Sequence, residues 1–285
     1  MTRSRNDILI QNIIKCSADA KISSAEIDLL IFAFLDDIKL SGQSLWDIKA
    51  TVSQKLELLR HSLSEADTSI DLTKIQVSMS KYISQNCTSY FEEEEIIKKN
   101  LNFAKIAYWY TNRYAQEAAL AFSELFNRAE EICAESFSAV CEEISDDITL
   151  GVIPIANSSD GKLMSFYRLL DKFDLKISAA CNVENPNGNG FSRFALVGKK
   201  IIDIGSYSDK VIEFAVGADF FSTVRAIELI GGMVKEITSI PSHHSPNECL
   251  NYFTVSVKKE SIHELWWFLY LFGGEIEFIG IYSEI

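Results

Sequence analysis

The chain has 285 residues, of which 47% are hydrophobic and 11% are aromatic. This length and composition supply a sizeable core and room for two or three compact domains, which excludes a disordered protein. The 40 acidic and 27 basic side chains give a formal net charge of -13. Such a charge repels phosphate backbones and anionic lipid, so we expect neither nucleic acid nor membrane among the partners.

Six cysteines are scattered along the chain, and none forms a Cys-x-x-Cys pair. This pattern is typical of reduced, buried thiols and favours neither a disulfide framework nor a zinc site. The first residues lack the apolar core of a signal peptide, and no apolar run approaches the roughly 20 residues that cross a bilayer. We therefore expect a soluble, cytoplasmic protein.

The sequence offers little to a metal or a cofactor. His243 and His244 follow Pro241 in a loop without cysteines or spaced acidic residues, so we interpret them as surface side chains. The turn-rich stretch 185–190 is not followed by the Gly-Lys-Ser or Gly-Lys-Thr of a phosphate-binding loop. We expect no metal and no cofactor.

The chain is predicted to be an α+β protein of three domains. Residues 1–95 have the apolar spacing of amphipathic helices, as at Ile27 and Phe34, and end in an acidic linker. Residues 103–198 form the second predicted domain, in which strand-like segments alternate with helical ones from Lys105 to Cys181, and this alternation indicates one α/β lobe with a parallel sheet. Residues 208–285 have the order strand, helix, strand, strand, helix, strand, which is the βαββαβ ferredoxin-like arrangement.

Short strings in the middle of the chain resemble prephenate dehydratase and occur in that enzyme's order. They are a strand and helix start at 105–108 and 116–120, Glu-Ser-Phe at 135–137, a strand end at 151–159 and an Asn-rich approach to Ser-Arg-Phe at 185–194. Each string is weak alone, but four in the correct order indicate common ancestry. The following region resembles the ACT regulatory domain and the N-terminal helices resemble chorismate mutase. Together these parts resemble the bifunctional chorismate mutase/prephenate dehydratase family.

The resemblance assigns residues to the chemistry of prephenate, which loses carbon dioxide and water together. An enzyme must hold its two carboxylates and deliver a proton to the departing hydroxyl. In the family, the Thr of Thr-Arg-Phe is the candidate donor and the Arg binds a carboxylate, so Ser192 is the candidate catalytic residue here. The substrate-binding candidates are Arg193, Phe194, Asn157, Ser158, Ser159 and, in the mutase-like helices, Lys21.

The chain departs from the dehydratase pattern in three places. Residues 109–113 replace a Gly-rich loop with larger side chains, which fill the space that glycines leave open. Ala156 replaces the family's Glu. The family also has a second α/β lobe before Thr-Arg-Phe, whereas only residues 180–191 precede Ser192, and a βαβ unit alone needs about 30 residues. Without that lobe the substrate cleft lacks one wall unless a partner chain supplies it.

The flanking regions have also lost expected ligand contacts. In the mutase-like helices, Ile38 stands at the second cationic position beside Asp36 and Asp37, whose carboxylates repel chorismate. The ACT-like region's candidate regulatory-ligand residues are Gly217, Asp219, Ser239 and Pro241. Asp219 adds a negative charge to the predicted ligand turn and Ile240 replaces an Arg, so we expect weak phenylalanine binding or none.

An apolar helix face surrounds Trp266, Trp267 and Phe268. We interpret it mostly as core packing. Because ACT domains often pair through such faces, it is also the candidate interface of a homodimer or higher oligomer.

Two functions remain open. The first is a pseudoenzyme of the phenylalanine branch of aromatic amino acid biosynthesis, which acts as a binding, regulatory or scaffold subunit, with an enzyme of aromatic metabolism as a candidate partner. The loss of the Gly-rich loop and of the second lobe favours it. The second is an active lyase on prephenate or a related cyclohexadienyl acid, which the retained Ser192 and Arg193 favour.

Overall fold

The computed structural model describes residues 5–18, 23–40, 42–64, 71–87, 96–97, 102–202, 209–217, 220–241 and 249–285. Contacts divide the chain into two compact units, and neither is continuous in sequence. The first unit contains Met1–Tyr90, Val216–Val234 and Glu260–Ile276, and the second contains Phe91–Ala215, Lys235–Lys259 and Glu277–Ile285. The predicted division into three consecutive domains stays a prediction.

The described elements follow the predicted order closely. The helices are α1 (Arg5–Ala18), α2 (Ser24–Leu35), α3 (Leu45–Ser64), α4 (Leu72–Asn86), α5 (Arg113–Ser123), α6 (Phe137–Glu143), α7 (Met164–Phe173), α8 (Phe220–Leu229) and α9 (Ile262–Phe272). The strands are β1 (Ile96–Ile97), β2 (Phe103–Trp109), β3 (Arg128–Ala134), β4 (Thr149–Asn157), β5 (Gly161–Lys162), β6 (Lys176–Glu184), β7 (Phe191–Gly198), β8 (Ile201–Ile202), β9 (Asp209–Val216), β10 (Met233–Pro241), β11 (Cys249–Lys258) and β12 (Ile276–Glu284). Within the described ranges, no helix combines the length and the apolar character needed to cross a bilayer.

Helices α2 and α4 form because their apolar residues recur on one face. Helix α2 begins with a capping box, in which the side chains of Ser23 and Glu26 each accept a backbone N–H from the other residue. The residues buried along the two helices include Ile27, Ile31, Phe34 and Leu35 in α2 and Ile75, Met79 and Ile83 in α4. The helices predicted for the N-terminal region are therefore confirmed in its described residues.

Helix α9 completes the core of the first unit. Trp267 is 1% exposed and packs in one cluster with Ile31 and Ile75, and Trp266 is partly buried against the same cluster. Phe268 is 2% exposed. The predicted core packing of this face is confirmed, and the alternative expectation, a dimer interface at this face, is corrected. The face is buried within the chain because the N-terminal helices contribute to the same core.

The second unit is built on a large mixed sheet. Its strands lie in the order β10-β11-β9-β12-β6-β7-β4-β2-β3, with β5 paired to β4, while β1 pairs separately with β8. The strands of the predicted βαββαβ region occupy one end, with β9 and β11, its first and third strands, in the middle as a ferredoxin-like arrangement requires. Strand β12 joins them to β6 in parallel, so the sheet is continuous.

The strands predicted between Lys105 and Cys181 run parallel to one another as expected, and strand β7, which follows them, makes the sheet mixed. Strands β3 and β4 both run parallel to β2, but β7 lies between β4 and β6 and is antiparallel to both. The reason is the short segment 185–190 between β6 and β7, since a short connection joins only antiparallel neighbours. Where the family resemblance implies a second lobe, the chain therefore has a β-hairpin.

Helices cover both faces of the sheet in the second unit. Alternate residues of each strand point to opposite faces. On one face α5 packs with Ile106, Val152 and Leu196, and on the other α6 and α7 pack with Ile153 and Ala195. This arrangement makes the inner strands apolar along most of their length and leaves polar side chains at the strand ends.

The role of α9 in the first core can be tested with two tryptophans. We expect Trp267→Ala to lower the free energy of unfolding by about 3–5 kcal/mol, because it removes a fully buried ring. Trp46→Ala is the matched control, since Trp46 is 74% exposed and its loss should change the free energy by less than about 0.5 kcal/mol. Urea unfolding followed by circular dichroism measures both. Similar small effects for the two variants would contradict the packing.

Candidate functional site

Strands β4 and β7 bring most of the dehydratase-like residues together. In this antiparallel pair Asn157 lies opposite Ser192 and Ala156 lies opposite Arg193. Ser158 follows β4, and its N–H donates to the Phe191 carbonyl at 3.0 Å. The end of β4, the turn after it and the start of β7 therefore form one cluster, here called the β4/β7 cluster, from segments that are distant in sequence.

The side chains of Asn157 and Ser158 are used within the β4/β7 cluster itself. Asn157 Oδ1 accepts the backbone N–H of Ser159 at 2.9 Å and that of Asp160 at 2.6 Å, and its Nδ2 donates to the Asp160 carboxylate at 2.9 Å. Ser158 Oγ accepts the Phe191 N–H at 3.1 Å. Such contacts fix turn geometry. Asn157 and Ser158 therefore hold the backbone of the turn, and Ser159 is exposed.

Ser192 and Arg193 lie on opposite faces of the sheet, because side chains alternate along a strand. Ser192 pairs with Val183, which belongs to the core under α5. Arg193 lies on the other face, with its guanidinium 5.8 Å from the centroid of the Tyr282 ring. Phe194 is 2% exposed and packs in the core under α5. The candidate proton donor and the candidate carboxylate binder thus face different sides of β7.

The Arg193 guanidinium has a carboxylate partner within the second unit. Its Nη2 donates to Oε1 of Glu284 at 2.5 Å, and the same oxygen accepts from Lys235 Nζ at 3.1 Å. Burial acts to raise the pKa of Glu284, but Arg193 and Lys235 outweigh that effect and hold the pKa below its usual value. The position predicted to bind a substrate carboxylate is therefore occupied by a carboxylate of the chain.

A buried charged group lies near this pair. Glu213 of β9 is 2% exposed, and its carboxylate accepts hydrogen bonds from Lys162 Nζ at 3.2 Å, Tyr167 OH at 2.8 Å, Thr254 Oγ1 at 3.0 Å and Tyr282 OH at 2.9 Å. Burial, together with the charge of Glu213, raises the pKa of both tyrosines well above the ordinary value. The hydroxyls therefore stay protonated and donate to the carboxylate.

The sequence-based candidates did not include Glu213 or its partners. The available signal is a single carboxylate inside the apolar run Val-Ile-Glu-Phe-Ala-Val, since a charge in such a strand is seldom buried without a partner. The partners come from four separate elements, β5, α7, β11 and β12. Spacing along the chain does not connect them.

The junction of β2 and α5, where the family resemblance implies glycines, carries Trp109 at the end of β2 and the exposed Tyr110 and Thr111 after it. The Trp109 ring meets the Phe137 ring edge-on, with centroids 5.0 Å apart. Asn112 caps α5, because its Oδ1 accepts the Ala115 N–H at 3.0 Å. This geometry leaves a capped helix start in place of an open loop, which agrees with the expectation from the sequence.

The other candidate residues are separate from the β4/β7 cluster. Lys21 and Asp219 lie outside the described residues. Gly217 is exposed, and its N–H donates to the Glu275 carbonyl at 3.1 Å. Ser239 Oγ donates to Asn251 Oδ1 at 2.6 Å between β10 and β11, and Pro241 ends β10.

Comparison with known proteins shows which fold the chain resembles. No known protein-family profile and no curated protein matches the sequence. Among solved structures, a prephenate dehydratase from Streptococcus mutans is similar with a TM-score of 0.51 and 17% identity, over 64% of this chain and 98% of that one. The prephenate dehydratase from Arthrobacter aurescens in complex with L-Phe is similar with a TM-score of 0.49 and 10% identity, over 63% of this chain and 90% of that one. The prephenate dehydratase from Staphylococcus aureus subsp. aureus Mu50 is similar with a TM-score of 0.47 and 12% identity, over 63% of this chain and 100% of that one.

The likeness to the Streptococcus mutans protein shows the class of fold and nothing more. The chain has a mixed α/β fold with a large sheet. That fold is similar to the fold of prephenate dehydratase. At this level of identity a shared fold does not transfer chemistry, which depends on the residues of the site.

The β4/β7 cluster places a strict demand on Gly190. Its φ is 97°, and an added Cβ would lie 2.0 Å from Ser158 Oγ. Gly188 is the matched control, because its φ is 68° but a Cβ there meets nothing within 4 Å. Gly188→Ala should cost about 1 kcal/mol for the left-handed backbone. Gly190→Ala should cost clearly more in urea unfolding, and equal losses would contradict the contact with Ser158.

The ion pair of Glu284 predicts a dependence of stability on pH. Because the folded-state pKa of Glu284 lies below the usual 4.5, its contribution is present above pH 4.5 and is lost as the pH falls through the folded-state pKa. Glu284→Gln should therefore be less stable than the wild type at neutral pH, and the difference should shrink as the solution is acidified below about pH 4. Urea unfolding at a series of pH values measures this difference. Glu124→Gln, an exposed glutamate after α5, should show no such trend. A difference in stability that stays constant with pH would contradict the ion pair of Glu284.

Proposed function

We propose that the protein is a diverged relative of chorismate mutase/prephenate dehydratase that does not catalyse the dehydratase reaction. In this proposal it is a pseudoenzyme of the phenylalanine branch and acts as a binding, regulatory or scaffold subunit. The observation that carries the proposal is the hydrogen bond between Arg193 and Glu284 at 2.5 Å. A guanidinium that is neutralised within the chain is not available to a substrate carboxylate.

The electrostatics of the site support the proposal. Prephenate carries two carboxylates, and an enzyme that binds it needs cations to match them. Glu284 takes the hydrogen bonds of both Arg193 and Lys235. An incoming dianion would have to displace Glu284 and would then face its charge at short range. That arrangement disfavours binding.

The architecture of the sheet supports it as well. The turn 185–190 connects β6 directly to β7. A reacting dianion must be oriented and shielded from water, which requires surfaces on more than one side. In the second unit, the β4/β7 cluster has no lobe inserted at the position where the family resemblance implies one.

An active lyase is the second candidate, and one observation favours it. Asn157 and Ser192 are direct cross-strand neighbours at a strand end, so a polar pair of the kind the dehydratase needs is retained. For this candidate, prephenate or a related cyclohexadienyl acid would bind on the Ser192 face, and a partner chain would supply the missing wall.

The proposed partners follow from the same plan. We propose a homodimer or higher oligomer, or an assembly with an enzyme of aromatic metabolism in the cytoplasm. The interface is not the face around Trp267, because that face is buried within the first unit. Phenylalanine should bind weakly or not at all, since Asp219 and Ile240 alter the ACT-like ligand positions.

The proposal is tested by incubating the purified protein with prephenate, and separately with chorismate, at neutral pH and identifying all products by mass spectrometry. We expect no phenylpyruvate above a protein-free control, because the carboxylate site is occupied. Ordinary enzymes turn over about 1 to 1,000 times per second.

Two serine variants show whether any phenylpyruvate comes from an active lyase site. Ser192→Ala removes the candidate donor, and Ser165→Ala removes an exposed hydroxyl of α7. Phenylpyruvate formed at an enzymatic rate, lost in Ser192→Ala and kept in Ser165→Ala, would establish the active lyase instead.

A further inference from the structure

The first unit contains a small polar cavity between α2 and α4, which Leu229 of α8 and Glu264 of α9 also line. Its volume is about 60 Å³, and its polar lining consists of Ser24, Asp28, Lys74, Ser78, Lys81 and Glu264. One water molecule needs about 10–15 Å³ of volume that is accessible to its centre. The space therefore suits a molecule of about four to six non-hydrogen atoms.

One pair of charges in the cavity is already matched. Lys81 Nζ donates to Asp28 Oδ2 at 2.7 Å, and Ser78 Oγ donates to Asp28 Oδ1 at 2.6 Å. The hydrogen bond from Asp28 raises the pKa of Lys81, so the lysine stays charged. Asp28 thus has a donor on each carboxylate oxygen, and its charge is balanced by Lys81.

Two further charges in the cavity have no such match. The Glu264 carboxylate is partly buried and makes no hydrogen bond or ion pair with the described residues, although Lys81 acts on it electrostatically. Lys74 is also a partly buried residue, and its ammonium likewise lacks a hydrogen-bond or ion-pair partner in the described part of the chain. A partly buried charge without a partner is costly. The cavity therefore has one open anionic and one open cationic position.

We propose that this cavity binds a small zwitterion of the size of the smallest amino acids. The ligand carboxylate contacts Lys74 and the ligand ammonium contacts Glu264. A simple anion would leave Glu264 without a partner, and a simple cation would leave Lys74 without one. No aromatic side chain and no residue of the turn at Gly217 is among the described residues that line the cavity. The site is therefore distinct from the phenylalanine site that the ACT-like turn at Gly217 predicts.

Glycine is the direct probe, with acetate and methylammonium as its two half-ligands. Titration of the full chain, followed by calorimetry or by amide chemical shifts, should show saturable binding of glycine and much weaker binding of either half. Acetate that binds as well as glycine would overturn the proposal in favour of a simple anion site. No saturable signal at tens of millimolar glycine would also overturn it.

Two variants test the assigned contacts. Lys74→Met and Glu264→Gln remove one charge each and nearly preserve side-chain size, and each should weaken glycine binding about tenfold or more, as expected for a charge-assisted hydrogen bond. Lys15→Met is the control, because Lys15 is an exposed lysine of α1 outside the lining. All variants are first checked for the wild-type circular dichroism spectrum. Unchanged glycine affinity in a folded Lys74→Met or Glu264→Gln protein would contradict the site.

Discussion

In the second unit, the Glu213 carboxylate accepts four hydrogen bonds from side chains of β5, α7, β11 and β12. A buried charge of this kind is tolerated only when its partners are complete, and removing one partner leaves a cost of about 3–5 kcal/mol. The elements that supply the donors are therefore fixed relative to β9. Tyr282 is one of them, and its ring lies under Arg193. The position of the arginine at the sheet surface thus depends on the buried group behind it.

This dependence shows that residues at a strand end can be held by the structure of the chain itself. Arg193 is held between Tyr282 and Glu284, and Asn157 and Ser158 are held in a turn. Each of these side chains therefore has a structural role that does not require a ligand. Retention of a motif is consequently weak support for retention of activity. The partners that the structure gives to Arg193, Asn157 and Ser158 all belong to the chain.

Local patterns predicted most of the elements, because apolar periodicity and capping act over a few residues. Examples are the helical spacing of Ile27, Ile31 and Phe34 and the continuous apolar run of β4. The sequence did not predict which residues from distant segments contact one another. Nothing near Arg193 in the sequence indicates Glu284, which lies on the last strand. The position of β7 between β4 and β6 was missed for the same reason, since it depends on which distant element is the neighbour. The β4/β7 cluster was predicted as a set of residues, and the contacts that define its chemistry were not.

The composition of the first unit has a consequence for biosynthesis. Helices α2 to α4 share a core with Trp267 and Leu271, which leave the ribosome long after α4. At roughly 5–20 residues per second, the delay is on the order of ten to forty seconds. During that interval the apolar faces of these helices lack the helix that covers them. Exposed apolar surface of this kind favours aggregation, and the core of the first unit is complete only after α9 has been synthesised.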